Sequence, residues 1–228
     1  AVASALGWIC EETERDPEVR VCILTSSLES TFCAGADLGE ISRGNGAALS
    51  TKQGGFAGFV RFPRTKPWIA AVRGNALAGG CELPLACDMI VAADNSRFGL
   101  PEVKRGIFAC GGATIRLQRE IGWGNAQRYL LTGDEWTADQ AYQWGLIQEL
   151  VEPGEQFNVA LEIAEKIAKA APLGVQGSLK SSKIAVSEGQ EAAKQRLFPD
   201  LQPVMASEDV KEGIQSFLER REAVFKGK

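Results

Sequence analysis

No histidine occurs anywhere in the 228 residues of the chain. That absence removes Ser-His-Asp and Cys-His catalysis, every histidine metal site and the HRD loop of protein kinases. Acid–base work is left to carboxylates, Lys, Tyr, Cys or backbone groups. Also missing is any unbroken apolar run of the roughly 18 to 20 residues that a membrane span needs. Basic charge is not in excess: the net charge is −4 and the pI about 5.2, which leaves no footprint for nucleic acid. The first residues, AVASALGWICEETERDPEVR, place acids where a signal peptide carries apolar sequence, and they do not read as one. The cysteines at 10, 22, 33, 81, 87 and 110 form no CxxC pair and no metal-like spacing. They read as reduced thiols of a cytoplasmic protein that holds no metal.

What is present is an ordinary globular composition, 45% hydrophobic and 24% charged, in a chain long enough to bury a full core. Residues 2–14 carry apolar positions at helical spacing until Asp16-Pro17. VRVCILTS (19–26), PWIAAVRG (67–74) and DMIVAAD (88–94) read as buried strands. A short helix is predicted over about 80–87 with Pro84 in its first turn, and residues 42–54 read as a mobile polar loop. RFGLPE, from 97, reads as a further loop. From about 120 onward helix follows helix, over 125–133, 137–145, 156–172, 174–189 and 208–227. The last carries the stripe Val210, Ile214, Phe217 and Leu218 of a docking helix, with ERRE (219–222) as a solvated face. Trp123, Trp136 and Trp144 read as packing residues of this region. The expected plan is an α/β core over 1–120 and a helical region over 121–228.

Three short stretches stand apart: AGAD (34–37), AGGCE (78–82) and GLPE (99–102). Small residues leave backbone amides open to a ligand. Convergence of the Ala36 and Gly79 amides would make a two-donor oxyanion hole, in which one donor is typically worth about 3 kcal/mol. Glu82 and Glu102 supply what histidine cannot. Two neighbouring carboxyls do not both ionise, so one holds a proton while the other acts as base, and apolar neighbours raise the proton-bearing one. Such a pair suits adding or removing water across a polarised double bond. A plainer reading fits the same spacing: Glu82 as a helix-dipole partner and Glu102 opening a helix after Pro101.

At these residues the chain resembles the crotonase (enoyl-CoA hydratase/isomerase) superfamily. The matching text is FCAGADLGEI, KPWIAAVRGNALAGGCELPLACDMIVAADNSRFGLPEVKRGI, GGATIRL, LLTGDEWTADQAYQWGLIQELV and the closing SEDVKEGIQSFLERREAVFKGK. The resemblance implies a spiral of ββα units followed by a helical trimerisation region, hence a homotrimer or homohexamer. It implies an acyl-CoA substrate and no separate cofactor. The thioester oxygen would be held by Ala36 and Gly79, with Glu82 and Glu102 as the catalytic pair of an enoyl-CoA hydratase. CoA would run along 34–39 (Ala34, Asp37, Leu38, Gly39), and the end of the last helix, at Phe225 and Lys228, would close over the adenine.

Two departures stand against that pattern. Cys110 occupies a place near the catalytic water where hydratases usually carry glycine; it either narrows the site or turns into the core. The family's first strand, with an RP-x-x-x-NA motif, is absent from this sequence, which is expected to be incomplete at its start rather than to begin the fold differently. Double-bond isomerisation and carnitinyl-CoA dehydration remain open as alternatives, as does a non-catalytic RNA-binding or scaffold role.

Overall fold

Helix α1 (Val2–Arg15) opens the computed structural model, which describes residues 1–228. It ends as expected, because the residue before Pro17 is forced into extended geometry (Asp16 φ −79°, ψ 111°). The chain then passes three times through one strand of a first sheet and one of a second. β1 (Cys22–Thr25) and β2 (Thr31–Cys33) precede α2 (Leu38–Ser42), a 3₁₀ turn (Gly46–Leu49) and a hairpin of β3 (Ser50–Thr51) and β4 (Gly55–Phe56). β5 (Trp68–Val72) and β6 (Asn75–Leu77) precede α3 (Gly79–Leu85). β7 (Met89–Ala93) and β8 (Arg97–Gly99) precede a second 3₁₀ turn (Pro101–Arg105). There follow α4 (Ala113–Ile121), α5 (Trp123–Thr132), β9 (Glu135–Thr137), α6 (Ala138–Gln143), β10 (Glu149–Val151), α7 (Gln156–Lys169), α8 (Pro172–Ser187), α9 (Gln190–Met205) and α10 (Glu208–Glu219).

The first sheet has the order β1-β5-β7-β10 and is wholly parallel. The second has the order β2-β6-β8-β9, with only β9 antiparallel. This repeated strand–strand–helix course is the α/β spiral that the resemblance implies. Trp68, Ala70 and Val72 of β5 face the main core, while Ile69 and Ala71 face Ala160 and Ala164 of α7. Because both faces of β5 are covered, its sequence is apolar without alternation. Phe98 and Trp136 stack across β8 and β9, ring centres 6.1 Å apart.

Several expectations are corrected. β1 is only half-buried, because it forms the edge of its sheet. Residues 42–54 hold the 3₁₀ turn and most of a hairpin, and RFG is a strand rather than a loop. Pro84 sits near the end of α3, not in its first turn. Helices α4 and α9 were not apparent from spacing; α9 contains Pro199 and Pro203, which disguise it. The boundary expected at 120 does not fall at the edge of the sheets, since β9 and β10 complete them and α7 covers the first. Trp136 is buried but Trp123 is exposed. On α10 the apolar stripe faces outward, Phe217 being 81% exposed, while Asp209 and Ser216 are buried. ERRE straddles the helix end, because Arg220 turns left-handed at φ 55°.

Gly74 hands the chain from the first sheet to the second at φ +70°, with a Cβ overlapping the Ser30 carbonyl. Gly74→Ala is expected to cost about 2 kcal/mol or more. Urea unfolding measures it, and an unchanged midpoint would contradict the tight handover.

Candidate active site

The two sequence-predicted acids meet because of strand register. β2, β6 and β8 are parallel neighbours, with Cys33 opposite Ala76 and Leu77 opposite Gly99. The stretches 34–37, 78–82 and 100–102 therefore leave the same end of one sheet, the carboxyl end where ligands of α/β folds gather. The Ala78 amide donates to Gly99 O at 2.9 Å and locks two of these exits together.

Glycine is demanded here by space. A Cβ on Gly79 would lie 2.5 Å from Phe56 Cε1, and one on Gly80 would overlap the Cys33 carbonyl. A Cβ on Gly35, itself at φ +95°, would lie 2.9 Å from Ala78 Cβ and 3.1 Å from Gly79 N. The 34–36 loop is thus pressed against the start of α3, which brings the Ala36 and Gly79 regions together. Neither amide donates to an acceptor within the chain. Ala78, just before α3, is held at φ 52°, ψ −131°, a conformation costly for a residue with a Cβ.

Glu82 lies in the first turn of α3 and is 3% exposed. Its Oε1 accepts the Ala113 amide at 3.0 Å, and its carboxylate rests on the Cα of Gly111, where no Cβ fits. Burial pushes this carboxyl above its usual range, against the lowering pull of the Ala113, Gly111 and Gly112 amides and the Arg116 guanidinium. Glu102 follows Pro101 in the second 3₁₀ turn and is 9% exposed. Its Oε2 is buried and unpartnered. Burial raises this carboxyl as well, its own backbone amide lowers it, and the negative charge of Glu82 raises it further. The structure brings these two carboxyls into one electrostatic site.

The remaining predicted positions divide. Asp37 caps α2, accepting the Glu40 amide at 3.1 Å, so its carboxylate has a structural task. Ala34 and Leu38 are exposed and Gly39 half-buried. Cys110 is exposed, which excludes the core orientation, and it directly precedes Gly111. Phe225 and Lys228 do not end the last helix. They belong to a tail folded back on α10, where Asp209 accepts the Lys226 and Gly227 amides at 2.7 and 2.8 Å. Phe225 O accepts from Arg20 at 2.6 Å, and its ring lies against Gly213. The reading of spacing missed Phe56, Gly111, Ala113 and Arg116; the signal was a second glycine pair, Gly111-Gly112, ahead of a helix.

Both carboxyls are raised in the folded chain, so folding retains protons that the unfolded chain releases. Their contribution to stability is complete below the ordinary carboxylate range, near pH 4.3, and is lost as pH climbs through the folded values. Glu102→Gln, which cannot ionise, should therefore raise Tm more at about pH 8 than at about pH 4. A Tm difference independent of pH would contradict the burial of an ionisable pair.

Residues 4–228 match the family model described as Enoyl-CoA hydratase/isomerase. A carnitinyl-CoA dehydratase of Salmonella paratyphi A is 37% identical over 219 residues, 93% of this chain and 84% of that protein. The structure of an enoyl-CoA hydratase from Mycobacterium tuberculosis H37Rv superposes with TM-score 0.95 at 40% identity, covering 100% of this chain and 89% of that one. A carnitinyl-CoA hydratase from Mycobacterium avium superposes with TM-score 0.78 at 41% identity, with the same coverage. The chain belongs to the enoyl-CoA hydratase/isomerase family.

Proposed function

We propose that the chain adds water reversibly across the 2-trans double bond of an enoyl-CoA, giving the 3-hydroxyacyl-CoA. The observation that carries this reading is the pair Glu82 and Glu102, both buried, with Glu102 Oε2 unpartnered. Three amides and a guanidinium favour the ionised form of Glu82, whereas Glu102 faces a negative neighbour. Glu82 is therefore the base and Glu102 the acid. Water oxygen bonds to C3 as its proton passes to Glu82, and the Glu102 proton is delivered to C2. A proton shift between the two carboxyls resets the pair. The negative charge that develops on the thioester oxygen is held by the Ala36 and Gly79 amides.

The CoA moiety runs along Ala34, Asp37, Leu38 and Gly39, and no separate cofactor or metal takes part. The exposed apolar side chains of α9 and α10, among them Phe198, Met205, Phe217 and Leu218, support a homotrimer or homohexamer. In that assembly the tail at Phe225 and Lys228 closes over CoA. No helix is long and apolar enough to cross a membrane, and six free cysteines fit the reducing cytoplasm to which the chain is assigned.

A second reading, dehydration of carnitinyl-CoA, uses the same two acids in the reverse direction. It is supported by the carnitinyl-CoA dehydratase relative and by the exposed Cys110, which precedes Gly111, the residue packed against the Glu82 carboxylate. Crotonyl-CoA should lose its enone absorbance and gain the mass of water on adding the protein. Glu102→Gln should slow this at least about 100-fold. Full activity in that variant would remove Glu102 from the chemistry. Turnover of carnitinyl-CoA outpacing hydration of crotonyl-CoA would favour the second reading.

A further inference from the structure

The loop that holds Glu82 is itself held from behind. Arg116, three residues after Ala113 on α4, is half-buried. Its Nη1 donates to Gly111 O at 3.0 Å and its Nη2 to Val60 O at 2.6 Å. Val60 lies in the turn whose amides at 59 and 60 donate to Phe56 O, and Phe56 is the residue whose ring presses on Gly79. Gly112 stands at φ +115°, where a Cβ would run into the guanidinium. One planar fork thus spans the glycine loop beneath the acid and the turn that carries the ring over the amide end.

We propose that Arg116 is a positioning residue, its guanidinium fixing the Gly111–Ala113 loop against the Phe56–Val60 turn so that the Glu82 carboxylate stays seated on that loop while the Phe56 ring stays over Gly79. This rests on the hydratase reading for its kinetic consequences but not for its geometry. Arginine suits the task because its donors are set in a rigid plane, whereas an ammonium is a single point. The titratable and charged groups facing the acid are Cys81 of its own helix, Glu102 of the 3₁₀ turn and Arg116 of α4. Around Arg116 itself lie Arg64, Cys87 and Arg119. Loss of the Arg116 cation leaves burial of Glu82 less opposed, which moves its ionisation to higher pH.

The test separates fork from charge. Arg116→Gln should lower kcat for crotonyl-CoA about 100-fold, with KM changed less than about twofold, because no substrate contact is lost. The acid limb of its kcat/KM profile should move to higher pH. Arg116→Lys keeps the cation, so the limb should stay in place, yet kcat should remain at least about tenfold down because one ammonium does not bridge two fixed carbonyls. Wild-type kcat in Arg116→Lys, or an unmoved acid limb in a folded Arg116→Gln, overturns the proposal. If Arg116→Gln fails to fold, the kcat of Arg116→Lys decides alone. If the wild type hydrates nothing, the hydratase reading fails, and carbon-13 NMR of the Glu82 carboxyl, assigned by Glu82→Gln, still judges Arg116. A titration shifted upward in Arg116→Gln and unchanged in Arg116→Lys supports it; no shift in Arg116→Gln overturns it.

Discussion

A buried carboxylate at the start of α3 sets the terms for everything around it. Removing Glu82 from water is costly unless donors replace those it loses. The Ala113 amide at 3.0 Å supplies one, and the neighbouring glycine amides and the Arg116 guanidinium reinforce it. Such close approach is possible only where residue 111 lacks a side chain. The glycine pairs serve separate close approaches: Gly79 admits the Phe56 ring, Gly80 the Cys33 carbonyl, Gly111 the Glu82 carboxylate and Gly112 the Arg116 guanidinium.

Register carries that local arrangement to the second acid. Leu77 lies opposite Gly99, so α3 and the second 3₁₀ turn depart from the same level of the sheet. Glu82 and Glu102 are then brought within electrostatic reach although twenty positions separate them in the chain. The stacked Phe98 and Trp136, both fully buried, fix β8 against β9 and so hold the strand end from which Glu102 departs. A slip of one residue in that pairing would turn alternate side chains to the opposite face, and the acids would part.

The helical end of the chain obeys a different balance. α8 and α9 pack chiefly on each other, burying Ile184 and Ala193 while leaving Leu197, Phe198 and Met205 outside. On α10 the buried positions are polar: Asp209 draws the tail back by its amides, and the apolar stripe is turned away from the chain.

The sequence by itself determined that catalysis here runs without imidazole, that PWIAAV and DMIVAA are interior strands, and that Glu82 and Glu102 sit beside loops of small residues. Those are local properties, written in composition and in runs of a few neighbours. The tertiary structure decided what local pattern does not encode. It placed β1 at an edge, made helices of α4 and of the proline-bearing α9, and gave Asp37 to a helix cap. It turned the stripe of α10 outward, and it brought Gly111, Ala113 and Arg116 beneath an acid some thirty residues earlier. Each outcome rests on which distant segments pair and at what register, and burial, not spacing along the chain, selects that pairing.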